Sequence, residues 1–258
     1  MKIAISGKGG VGKSTVAAAI ALLMAKKGNK VLAVDADPDA NLASALGIPA
    51  SDQKNIVTIA HNKELIEERT GAEINQYGQM FKLNPEVSDI ADKYAYNFKG
   101  VSLLVLGAIK GGGAGCACAE STLLKTLVQH LVLHQNEALV MDMEAGIEHL
   151  GRSTAGNVDE MIVVCEPGQR SIDSVKRIVR MSGEIGIRRI KLVINKVHSA
   201  ADEDYIRQDL PGIDIIASIP YSEKLLQADR DGVSVLDVAD AELLGIFQKI
   251  LTGLEEKQ

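Results

Sequence analysis

The chain has 258 residues, of which 46% are hydrophobic but only 3% aromatic and none Trp, so the core of one large domain must be built from Ala, Val, Ile and Leu. Its 28 Lys and Arg stand against 34 Asp and Glu, and the net charge of -6 excludes a general electrostatic affinity for nucleic acid or anionic lipid. Three cysteines exclude a disulfide framework, and in a reducing compartment clustered thiols more often bind metal or do redox chemistry.

In chain order, short β-branched runs predict strands at 2–6, 30–34, 101–106, 138–141, 161–165, 190–194 and 213–219. Helical patterns at 14–27, 121–134, 171–185 and 202–209 fall between them, the arrangement of repeated βαβ units. The expectation is therefore an α/β fold, one domain over 1–258 with a mostly parallel central sheet flanked by helices. The stretch 49–100 is less regular, with a helix expected around 63–70, and reads as an insertion or flap. A closing helix over 237–256 places Ala239, Leu243, Ile246, Phe247, Ile250 and Leu254 on one apolar face, which suits core packing better than a membrane surface. The longest apolar run, 16–25, is half of the about 20 residues a membrane span needs, and Ile3 to Ile5 are too few for a secretory signal. A cytoplasmic protein is expected.

Between the first strand and first helix lies Gly7-Lys8-Gly9-Gly10-Val11-Gly12-Lys13-Ser14-Thr15, whose backbone N–H groups can cradle an anion. Gly7, Gly9 and Gly12 fit a dinucleotide fingerprint, with Asp35 ending the next strand where a ribose-binding acid belongs. Gly7 through Ser14 also fit a phosphate-binding P-loop. Two residues favour the P-loop: Lys13 supplies charge for β- and γ-phosphates, and Ser14 a hydroxyl for Mg²⁺, neither of which a dinucleotide site needs. A P-loop also wants an acid at the end of another apolar strand, and Leu139-Val140-Met141-Asp142 provides it. The acidic loop Asp35-Ala36-Asp37-Pro38-Asp39 is placed to sense a γ-phosphate.

On these residues the chain resembles the deviant Walker A ATPases, the group that includes MinD, ParA and the nitrogenase iron protein, and Lys8 is the distinguishing mark. The resemblance implies an ATP-bound homodimer in which Lys8 reaches the partner's phosphates as an arginine finger would. It implies that Asp37 positions the attacking water, that Asp142 and Gly146 belong to the second switch, and that Asn195 in Ile194-Asn195-Lys196-Val197 reads the adenine edge. A guanine-specific loop would carry Asp where His198 stands, which favours ATP over GTP.

Cys116 and Cys118 sit one residue apart after a run of glycines, and soft thiolates suit zinc, nickel or an iron-sulfur cluster. Two thiols are half of a four-coordinate site, and a homodimer supplies the other half by symmetry. Filling of a turn by two small residues is the competing reading, and Cys165 inside an apolar strand is assigned to packing. With this pair and Asp142-Met143-Glu144-Ala145-Gly146-Ile147-Glu148-His149-Leu150, the chain looks like the CooC and AcsF type of nickel-maturation ATPase. That likeness implies ATP, Mg²⁺ and Ni²⁺ or Zn²⁺ as ligands, and carbon monoxide dehydrogenase or acetyl-CoA synthase as client. An iron-sulfur electron donor would want a second cysteine soon after Asp142, which is missing before Asp159, and a MinD- or ParA-like positioning switch is disfavoured by the acidic balance. His130 and His134 are four apart on the polar side of a predicted helix, where a solvated face is the simpler reading.

Overall fold

In the computed structural model residues 1–73, 79–107, 118–134, 137–145, 150 and 155–255 are described. Short, mostly apolar runs build strands β1 (Lys2–Gly7), β2 (Val31–Ala36), β3 (Tyr96–Phe98), β4 (Val101–Val105), β5 (Ala138–Met143), β6 (Glu160–Cys165), β7 (Ile190–Val197) and β8 (Asp214–Pro220). Among the described residues they form one eight-stranded sheet in the order β3-β4-β2-β5-β1-β6-β7-β8. All neighbours pair in parallel except β3 with β4. β1 therefore lies inside the sheet, and the loop that leaves its carboxyl end emerges between β5 and β6, where ligands of open α/β sheets bind.

Because side chains alternate across a strand, each strand feeds two cores. Ala4, Leu32, Val34, Leu139 and Met141 face one layer, and Ile3, Ile5, Val31, Ala33 and Val140 the other. The second layer receives helix α1 (Lys13–Lys26), in which every residue from Val16 to Met24 is buried. A helix apolar on all sides needs cover on all sides, and β1, β2 and β5 beneath α1 are joined by α2 (Leu42–Leu46) and the C-terminal helix above it. The first layer is closed by α4 (Lys63–Thr70), α6 (Cys118–His134) and α7 (Gln169–Ile185), with the short α3 (Ala50–Gln53) and α5 (Ile90–Tyr94) between β2 and β3.

The α/β expectation holds, and each strand expected from sequence has its counterpart within two residues at the amino end and three at the carboxyl end. Helix α4 occupies 63–70 as expected, and α8 (Ala200–Asp209) begins at a capping box between Ser199 and Asp202. Two features differ. Helix α9 (Glu223–Asp231), capped by Ser222, has no forerunner in the sequence reading, since it buries only Ala228. The closing helix expected over 237–256 is two helices, α10 (Val235–Val238) and α11 (Ala241–Glu255). Ala239 is extended at the break, and the Asp240 carboxylate accepts the Leu243 N–H at 3.1 Å, so Asp240 starts a new helix. The apolar face itself is real: Leu243, Phe247, Ile250, Leu251 and Leu254 are buried against α1 and β8. Among the described residues no helix is long and apolar enough to cross a membrane.

Candidate nucleotide site

The P-loop turns where β1 ends and α1 begins. Gly12 precedes the helix with φ 98°, a left-handed backbone, and a Cβ there would run into the Asn195 side-chain amide, so only glycine fits. Gly12 offers no side-chain cap and the first turn of α1 contains no acid. The first N–H groups of the helix are thus left with the positive end of the dipole and no internal acceptor, the arrangement that binds an anion. Lys8, Gly9, Gly10 and Val11 form the crest, with the Val11 N–H donating to the Lys8 carbonyl at 3.4 Å. Ser14 and Thr15 follow in the first helical turn, both half-buried.

Lys13 is 6% exposed, and its ammonium lies 3.1 Å from Asp37 Oδ2. The carboxylate of the chain itself thus holds the charge that a phosphate would claim. Asp142, next to last in β5, lies beside Asp35, next to last in β2, the two being opposite partners in the parallel ladder. Asp142 is fully buried; the Ser14 hydroxyl interacts with it, yet neither carboxylate oxygen has a hydrogen bond of good geometry. A buried carboxylate with free lone pairs next to a serine hydroxyl is a donor set that fits a hard divalent cation and its waters.

Asp35 does different work. Its Oδ1 accepts the Asp37 N–H at 3.2 Å and its Oδ2 the Leu42 N–H at 2.9 Å, so this buried side chain shapes the loop that presents Asp37. Both oxygens are turned toward backbone and away from solvent. A ribose-binding role is closed to them, which removes the main support of the dinucleotide reading.

Asn195, 6% exposed, donates from its amide to the Val11 carbonyl at 2.7 Å and accepts the Lys196 N–H at 2.9 Å. The structure brings Gly7, Lys8, Gly9, Gly10, Val11, Gly12, Lys13, Ser14, Thr15, Asp37, Asp142 and Asn195 to one end of the sheet. Gly146 and Cys116 lie outside the described residues, as does His149. Cys118 opens α6 instead of sitting in the loop before it; it is exposed and disulfide-bonded. Cys165 is buried in β6, and burial pushes its thiol pKa up, as expected of a packing residue. The rings of His130 and His134 lie 4.9 Å apart, but among the described residues no group of three His, Cys, Asp or Glu forms a metal cluster. Sequence reading missed Lys196, which reaches Gly10, and Glu166, which pairs with it. Lys196 could have been suspected from its place after Asn195; Glu166 has no local signal.

Crowding of acids in this site has a measurable consequence. Burial, then the charge of Asp142, raises the Asp35 pKa from 3.8 to about 7; burial, opposed by Ser14 and Lys13, raises that of Asp142 to about 6. A carboxyl raised in the fold holds a proton that the unfolded chain releases, so its stabilisation is complete below pH 4 and is lost as pH rises through 6 and 7. Nucleotide-free, Mg²⁺-free protein is expected to melt at least about 2 °C lower at pH 8 than at pH 5.5, the equivalent of ~1 kcal/mol in a chain of this size. A flat melting profile over that window would contradict the arrangement of the acids.

Comparison with known proteins agrees with this geometry. Residues 2–235 match the CobQ/CobB/MinD/ParA nucleotide binding domain, CbiA. The chain is 41% identical over 241 residues to the carbon monoxide dehydrogenase accessory protein CooC of Rhodospirillum rubrum, covering 93% of this chain and 91% of that one. It is 40% identical over 256 residues to an uncharacterized ATP-binding protein of Methanocaldococcus jannaschii, covering 97% and 98%. Among solved structures, a chain of the MinC:MinD cell division protein complex of Aquifex aeolicus superimposes with a TM-score of 0.70 at 22% identity, covering all of this chain and 97% of that one, a likeness of fold. An uncapped P-loop helix, paired strand-ending acids and a family match over nine-tenths of the length converge: the chain belongs to the CobQ/CobB/MinD/ParA family of nucleotide-binding domains and is of the CooC type within it.

Proposed function

We propose that this chain is an Mg²⁺-dependent ATPase that dimerises around ATP and assists the insertion of nickel into carbon monoxide dehydrogenase or acetyl-CoA synthase. The reaction is transfer of the γ-phosphoryl group to water, giving ADP and phosphate. The observation that carries the hydrolytic part is the Lys13–Asp37 pair at 3.1 Å, set between an uncapped helix start and the buried Asp142 carboxylate. Entry of a triphosphate gives Lys13 stronger acceptors than Asp37, and the released carboxylate then faces the site where water must be held. Ser14 and Asp142 would hold Mg²⁺, which neutralises phosphate charge when bound. The N–H groups of residues 9, 10 and 12–15 bind the phosphates, Lys8 of a partner chain completes the charge compensation, and Asn195 lies on the adenine side. Pre-set charge and position, more than covalent chemistry, supply catalysis of this kind.

Nickel enters as cargo. The CooC likeness and the spacing of Cys116 and Cys118 support a site of four thiolates shared by two chains, which accepts Ni²⁺ or Zn²⁺. Cys118 must be reduced to serve as a thiolate ligand, so the test is made under reductant. Equilibrium dialysis should find one Ni²⁺ or Zn²⁺ per two chains, and Cys116→Ser or Cys118→Ser should abolish tight binding while leaving nucleotide affinity within about threefold. Metal should also promote dimerisation, since coupling between the two equilibria is reciprocal. One metal per chain, unaffected by both substitutions, would sink the shared site and turn attention to His130 and His134.

A further inference from the structure

A P-loop binds phosphate through its N–H groups, so the carbonyls of the same residues carry the wrong dipole and must be turned away and satisfied elsewhere. Two consecutive carbonyls at the crest meet two consecutive residues of β7. Val11 O accepts from Asn195 Nδ2 at 2.7 Å, and Gly10 O accepts from Lys196 Nζ at 2.7 Å. In a regular strand, neighbours point to opposite faces and could not both reach one loop. Here the pairing of β7 with β8 shifts register between Ile194 and Val197, and Lys196 takes a left-handed φ of 59°. Such a break re-aims side chains. For a residue with a Cβ this backbone is strained, a cost Gly would avoid. What Lys supplies and Gly cannot is an ammonium, and that ammonium is also held at 3.1 Å by Glu166 Oε2, whose own N–H donates to Ser171 Oγ at 3.1 Å.

We propose that Lys196 is a positioning residue for phosphoryl transfer: braced by Glu166, it holds the Gly10 carbonyl away from the phosphates and so fixes the Lys8-to-Val11 turn from which Lys8 is aimed. The inference rests on the ATPase reading above. Lys196 touches no reacting atom in this account; it acts through the loop, so its loss falls on turnover more than on nucleotide capture by Lys13 and the helix N–H groups.

Steady-state ATP hydrolysis and thermal midpoints of the full chain decide the matter for Lys196→Met, Lys196→Gly, Lys196→Arg and Glu166→Gln. Misplacement of a reacting geometry by about 1 Å costs up to roughly 10²-fold, so kcat of Lys196→Met and Lys196→Gly should fall roughly 10- to 100-fold with KM within about threefold. Lys196→Gly relieves the left-handed strain and should melt with the parent, which separates loop aim from stability. Arg keeps charge and reach and should recover most of the rate; Glu166→Gln should lose several-fold and decides if Lys196→Met does not fold. Parental kcat in Lys196→Gly, or a loss that Lys196→Arg does not recover, would overturn the proposal. Failure of the ATPase reading shows itself differently, in a parent chain that turns over no ATP.

Discussion

Lys13→Ala is expected to lower ATP turnover by roughly 10³-fold or more, because it removes a preorganised charge from the point where negative charge gathers in the transition state. No other lysine near the loop is set to replace it: Lys8 lies at the crest, five residues before Lys13, and Lys196 is engaged with Gly10 and Glu166. The substitution also strips Asp37 of its partner beside Asp142, both largely buried, and breaking such a pair costs about 3–5 kcal/mol where the orphan cannot escape to water. Loss of rate could then be mistaken for loss of fold. Lys13→Met with Asp37→Asn separates the two, since the double variant removes both members of the pair together and leaves no orphaned Asp37 charge: its melting temperature should return toward the parent while its turnover stays at the floor. Isothermal titration with ATP should agree, showing weak binding in both. Parental hydrolysis by Lys13→Ala would remove the P-loop assignment.

What could be read from the sequence was whatever depends on local backbone demands. The glycines, Lys13 and Ser14 are legible because a phosphate cradle tolerates few alternatives at each position, and the parallel strands because burial on both faces makes them continuous apolar runs. Edge strand β3 escaped for the opposite reason: Tyr96, Asn97 and Phe98 are too few to show a period. Its signal lay in the turn, where Lys99 and Gly100 both have positive φ, the geometry of a tight hairpin. The break at Ala239 was hidden because the apolar period continues across it, and only the caps Ser234 and Asp240 betray two helices. Long-range partnerships left no trace at all. Asn195 and Val11 are 184 residues apart, and nothing in either neighbourhood announces that an amide on β7 holds a carbonyl of the P-loop.

Lys8 sets the other large effect. It is half-buried on the crest, and among the described residues its ammonium forms neither an ion pair nor a hydrogen bond, whereas Lys13 and Lys196 are both held within the chain. A cation kept at an anion site without a partner of its own is suited to one supplied by a second chain. Lys8→Ala should therefore bind one ATP per chain and hydrolyse it about 10³ to 10⁵ times more slowly, the range a finger in trans contributes. Mixing tells trans from cis. In a dimer of Lys8→Ala with Asp37→Ala, the nucleotide on the Lys8→Ala chain meets its own Asp37 and the partner's intact lysine, so that site works; the other lacks both. Equal amounts of the two inactive chains, exchanging freely, should recover about a quarter of parental activity, since half the dimers are mixed and each has one live site. A lysine acting on its own chain's nucleotide predicts no recovery, because each site of the mixed dimer then lacks one group. An inert mixture, with mixed dimers demonstrated by native mass spectrometry, would therefore end the trans assignment while leaving Lys13 and the P-loop untouched.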